Sequence, residues 1–226
     1  MDVRDLENEV LCAWDGRHAA QLLERDDQRH ARLLERLGPW SLSDSGDPVT
    51  AMSIAGQLAA HLAVRPPPDL PRMADVAPQI ARTINDTTPG DFRSLTTRDV
   101  RAAAATYREL GSDQPETLLH GDPPGQQHPA IPHQWLGGDR PLGTVGEIFA
   151  LEALTVLRDR WTALPVSASP RAALLRQLHA FADAAGIPPS RVIAWTHARS
   201  VRTVLAGVKD DNGMHAWVAS QLDSVH

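Results

Sequence analysis

Cysteine is almost missing from this chain: the single Cys12 excludes an internal disulfide framework and any zinc site built from several thiolates. Lysine is equally scarce, Lys209 being the only one, so the basic residues are otherwise all arginine. No run of eighteen apolar residues occurs, which excludes a helix of the usual membrane-spanning kind. Met1 to Gly16 is acidic and lacks a basic stretch followed by an apolar one, so no secretory signal is expected and the cytoplasm is the default. A basic face is missing too. The formal net charge is −6 with both signs interspersed, whereas a nucleic-acid partner needs clustered cations to displace counterions.

What remains is an ordinary globular composition, 42% hydrophobic over 226 residues, enough for one substantial core. The first forty residues differ from the rest. Leu6 to Trp14 has Leu6, Val10 and Ala13 on one helical face, and Asp15-Gly16 punctuates as a turn. Two apolar patches follow, Ala19 to Leu23 and Ala31 to Leu37, separated by the turn-like Arg25-Asp26-Asp27; they predict two strands of a small sheet.

From Trp40 the periodicity becomes helical. Asp47-Pro48 is a start signal, a capping carboxylate before proline at the first helical position. Val49, Met52, Ile54, Ala55, Leu58 and Leu62 then follow at helical spacing until Arg65-Pro66-Pro67-Pro68. Met73 to Asn85 and Thr97 to Leu110 read as two more helices, the second stopped by Gly111. Glu116 to His120 is a short apolar strand. Pro123 to Gly143 holds five prolines and no periodicity of either kind. Beyond it, Val145 to Trp161, Pro170 to Ala185 and Pro189 to Val208 are amphipathic.

The sharpest local signal is Leu118-Leu119-His120-Gly121-Asp122. An apolar strand delivering His-Gly-Asp into a loop places one carboxylate at the mouth of the core. Phosphoryl transfer to a hydroxyl needs such a carboxylate to orient the acceptor and take its proton. As a bare tripeptide the motif is weak, and an aspartate capping the turn after a strand is the plain alternative.

Longer stretches around it carry a resemblance: AWDGRHAAQLLERDDQRHARLLERL, SLSDSGDPVTAMSIAGQLAAHLA, ETLLHGD and EALTVLRDRW. In these the chain resembles the aminoglycoside phosphotransferase family, and within it the streptomycin- and hydroxyurea-type antibiotic resistance kinases. The resemblance implies an α+β, protein-kinase-like fold: a small sheet lobe, truncated here to residues 1–39, and a mainly helical C-terminal lobe, 40–226. It implies transfer of phosphate from ATP, with Mg²⁺, to an alcohol group of a small antibiotic. Asp122 becomes the catalytic-loop base and His120 its structural neighbour. Glu9 (or Glu7) becomes the partner of the family's phosphate-holding lysine, and Leu33 to Leu37, with Glu35, leads into the nucleotide-side hinge. Asp210, Asp211 and Glu147 become candidates for a cationic substrate, although Asp210-Asp211-Asn212-Gly213 is also simply a helix-ending turn.

The chain departs from the family pattern in two ways. It opens at the helix that would follow the family's first strands, without a Gly-rich phosphate loop or a nearby lysine. In the catalytic loop, Gln127 stands where the family has a Mg²⁺-binding Asn, and Arg140 falls at the count for the metal aspartate, with Asp139 one place early. Gln127 and Asp139 are therefore the metal-side candidates. Codons compatible with Gln127 to Pro141, read one base later, spell Asn-Ile-Leu and then Ile-Asp at near the family spacing. Pro123 to Pro141 is thus expected to be an out-of-frame stretch between two compensating slips, and activity to be impaired or lost. A non-catalytic remnant that binds a small molecule is the competing class.

A third reading gathers His120, Asp122, His128, His133 and Asp139 into a zinc or manganese hydrolase site, although a proline-rich loop has no regular element to aim His128 and His133. Trp161 and Trp195 are expected to pack in the core. Arg199 and Arg202 could reach a phosphate or form a solvated helix face.

Overall fold

The computed structural model describes residues 3–29, 31–38, 42, 46–68, 70, 72–87, 94–118, 153–154, 156–158, 161, 164–207 and 213–222. In these residues the protein is a helix-rich assembly with one two-stranded sheet. Helix α1, Val3–Trp14, buries Val10, Leu11 and Trp14 on one face. It stops where Asp15 and Gly16 turn left-handed (φ 50° and 69°), as the Asp-Gly pair predicts.

Strands β1 (Leu22–Asp26) and β2 (Ala31–Leu34) pair antiparallel, with a bulge between Leu22 and Glu24. The expected turn is displaced. Arg25 and Asp26 are paired strand residues, opposite Arg32 and Ala31, rather than the turn itself. The reason is local: the Asp26 carboxylate accepts from the N–H groups of Gln28 and Arg29, so it shapes the turn from the position before it.

Helix α2 runs Pro48–Leu62, with Asp47 accepting from Val49 N at 3.3 Å and Thr50 N at 2.9 Å. Its buried face is built of small residues and two long ones: Ala51, Met52, Ala55, Gly56, Ala59 and Leu62. Val49 and Ile54, expected inward, are exposed. Gly56 explains the choice of face. A Cβ there would sit 2.3 Å from the Phe181 carbonyl oxygen, so glycine lets α2 lie directly on the helix that carries Phe181.

Helices α3 (Met73–Asp86) and α4 (Thr97–Glu109) pack together, the latter opened by a reciprocal capping box between Thr96 and Asp99. Helix α5, Pro170–Ala185, ends at Gly186 in the left-handed conformation. Helix α6, Pro189–Leu205, is buried continuously from Val192 to Val201 and forms the centre of the core rather than one amphipathic wall. A last helix, α7 (Met214–Leu222), packs on α6. Trp195 lies fully buried with its ring edge-on to Tyr107, centroids 5.1 Å apart. Trp161 packs against the core beside Trp217. Arg199 is buried, not part of a solvated face.

Candidate active site

The strand signal before His120-Gly121-Asp122 is realised at one residue. Leu118 is fully buried, and its main-chain N–H donates to the Val64 carbonyl at 3.0 Å. The segment leading to it is held at two further points. Arg72 pairs with Glu116, and Arg191 of α6 grips Asp113 through its carboxylate (3.1 Å) and its carbonyl (2.6 Å). The chain is thus fixed up to the residue two places before His120.

The same turn of backbone receives the N-terminal unit. Trp14, 1% exposed, donates its indole N–H to the Leu62 carbonyl at 3.0 Å. The rings of His18 and His61 lie 4.1 Å apart beside it, and His61 Nδ1 is 2.7 Å from the Gln57 carbonyl. The exit of α2, Leu62 to Val64, therefore joins α1 on one side to the lead-in of His120-Gly121-Asp122 on the other. Capping fixes where α2 starts, and Ala63 with the following Arg65 to Pro68 fixes where it stops, so sequence places this junction.

Of the expected site residues, Glu9 and Glu35 are described. Glu9 is exposed on α1, and its carboxylate lies 3.7 Å from the Arg25 guanidinium of β1, so an arginine is its partner here. Glu35 continues the hairpin past β2: its N–H donates to the Gln21 carbonyl at 2.9 Å. The structure does not bring Glu9 and Glu35 together through any described contact. His120, Asp122, Gln127, Asp139, Glu147, Asp210 and Asp211 lie outside the described residues, as do His128, His133, Lys209 and the stretch Pro123 to Pro141. Among the described residues no group of three or more His, Cys, Asp or Glu could hold a metal ion.

Chemically, Gln127 and Asp139 offer an amide carbonyl and a carboxylate. Both are hard oxygen donors, and Mg²⁺ commonly takes one or two carboxylates with the remaining places left to water and phosphate oxygens.

Sequence reasoning missed a buried polar pair. Asp99, at the third position of α4, lies 3.1 Å from His197 Nε2 of α6, both essentially without solvent exposure. Burial pushes the Asp99 carboxyl up, but hydrogen bonds from the Thr96 side chain and backbone and the contact with His197 together hold it below the ordinary value. Thr96-x-x-Asp99 is a readable cap signal; the histidine a hundred residues away is not.

A helical body with a small two-stranded sheet is compatible with a kinase-like phosphotransferase of small molecules. The chain belongs to the aminoglycoside/hydroxyurea antibiotic resistance kinase family, whose sequence profile matches residues 3–213. It is similar to streptomycin 6-kinase of Streptomyces griseus, at 26% identity over 219 residues that cover 94% of this chain and 69% of that enzyme. No solved structure matches it. Membership makes it an ATP-using, antibiotic-modifying kinase by class. None of the described helices is long and apolar enough to cross a membrane.

Proposed function

We propose that this protein transfers the terminal phosphate of ATP to an alcohol group of a small cationic antibiotic of the streptomycin kind, with Asp122 as the base. The observation that carries the reading is the anchored lead-in to the motif: Leu118 is buried and bonded to Val64, two residues from the bond that holds Trp14. Leu118, the last described residue before Asp122, is thus a fixed point joined through the exit of α2 to Trp14 of α1. In this reading residues 1–39 belong to the small lobe and 40–226 to the catalytic lobe of a protein-kinase-like fold.

Asp122 accepts the proton of the antibiotic hydroxyl as its oxygen attacks the terminal phosphorus of ATP, whose bond to the bridging oxygen breaks to release ADP, and His120 is the neighbour of that base. Gln127 and Asp139 would hold Mg²⁺ through their side-chain oxygens, and the ion would supply charge neutralisation on the transferring phosphate. Glu9 and Glu35 stand on the nucleotide side, and Glu147, Asp210 and Asp211 offer carboxylates to the cationic antibiotic. Turnover is reduced, because Arg140 adjoins the metal carboxylate. We attribute Pro123 to Pro141 to an out-of-frame stretch, which sequencing the locus in all frames tests.

A coupled ATP-consumption assay with streptomycin, and separately with hydroxyurea, tests the reading. Antibiotic-dependent turnover supports it. Binding of the antibiotic without turnover would favour a second reading, a non-catalytic remnant, which the engagement of Glu9 by Arg25 favours.

A further inference from the structure

One groove of the molecule is cationic although the chain as a whole carries a net charge of −6. It lies between the end of α3 and the outer face of α4, lined by Asn85, Thr97, Arg98, Arg101 and Arg108, with Ala102 and Ala105 as its floor. The three arginines share one helical face, at positions i, i+3 and i+10, and all are exposed. Alanine at i+4 and i+7 leaves the space between them open.

Four arginines elsewhere give a contrast, although Arg17 and Arg82 also bond to neutral oxygens rather than carboxylates. Arg25, Arg29, Arg72 and Arg191 each pair with a carboxylate. Among the described residues no carboxylate pairs with Arg101 or Arg108, and none lines the groove. In a chain with 28 acidic residues, two guanidiniums in a groove without acidic partners are cations kept available. Asn85 and Thr97 add neutral polar groups to the same walls.

We propose that this groove binds a linear anion of several phosphate groups. Spacing selects the shape. At 1.5 Å rise per residue, Arg98 and Arg101 stand ~4.5 Å apart along the axis and Arg108 ~10 Å further on. Arg101 can hold one phosphate group, while Arg108 is reached only by an extended anion. A single orthophosphate meets at most part of the set. The proposal does not rest on the phosphotransferase reading, since none of the groove's residues is assigned to that site.

Titrating the full chain with inorganic triphosphate by calorimetry, at low and at high salt, tests the proposal. The expected result is binding that weakens as salt rises, that exceeds orthophosphate binding, and that falls at least ~10-fold in an Arg98→Ala, Arg101→Ala, Arg108→Ala variant, since charge-assisted hydrogen bonds of this kind are lost. In the wild-type chain, triphosphate should also protect Arg101 and Arg108 from phenylglyoxal, read by mass spectrometry, while leaving Arg29 modified. Absence of binding, binding unchanged in the triple variant, or no protection of Arg101 and Arg108 would overturn it. The protection arm needs no variant, so a poorly folded triple variant does not leave the question open.

Discussion

The N–H of Leu118 donates to the Val64 carbonyl at 3.0 Å, tying the lead-in of His120-Gly121-Asp122 to the exit of α2. Because Leu118 is fully buried, its side chain anchors that lead-in as much as the hydrogen bond does.

Leu118→Ala should therefore destabilise the protein by about 3 kcal/mol, through lost burial plus the cavity left behind. Urea unfolding would show it as a lower midpoint at unchanged slope. A loss under about 1 kcal/mol would mean that the strand end is not packed as described.

Trp14→Phe keeps most of the ring's apolar surface but removes the donor to the Leu62 carbonyl. Loss of a buried hydrogen bond predicts about 1–2 kcal/mol of destabilisation. Wild-type thermal stability in this variant would contradict the junction between α1 and α2.

Gly56→Ala should be poorly tolerated. Its Cβ would meet the Phe181 carbonyl oxygen at 2.3 Å, and overpacking of that kind typically costs about 1–3 kcal/mol. Gly38→Ala, with nothing within 4 Å, is the matched control and should be near neutral. Equal effects at the two positions would refute the close α2–α5 contact.

Asp99 makes stability fall in acid. Its folded-state pKa lies below the ordinary 3.8, so its contribution is complete above that value and is lost as pH falls through the lower, folded one. The stability gap between wild type and Asp99→Asn should hold from neutral pH to about 4 and narrow below it. A gap that stays constant to pH 2 would show that the ionised carboxylate is not what the Thr96 and His197 contacts stabilise.

Local signals carried much of this architecture. Asp47-Pro48, Thr97 and Pro170 mark helix starts within a residue or so of where they fall, since caps and proline act on the nearest turn. What failed was decided at longer range. Val49 and Ile54 fit the helical period yet face solvent, because Gly56 and the alanines, not the largest side chains, make the surface that α5 can approach. Met214 to Leu222 was passed over, although Met214, Trp217, Val218 and Leu222 are spaced as one helix face. At the site, the lead-in to the motif is legible as far as Leu118. The partners that hold them, Val64, Arg72 and Arg191, are supplied by other elements and leave no local mark.

The most direct test of the central claim is to incubate the chain with ATP, Mg²⁺ and streptomycin and follow phosphate-ester formation by ³¹P NMR, with Asp122→Asn alongside. The account predicts a slow, antibiotic-dependent ester signal whose rate drops by about 10²–10⁴ in Asp122→Asn while antibiotic binding persists. An ester formed equally fast by Asp122→Asn, or no ester from a folded wild-type chain that still binds streptomycin, would contradict it.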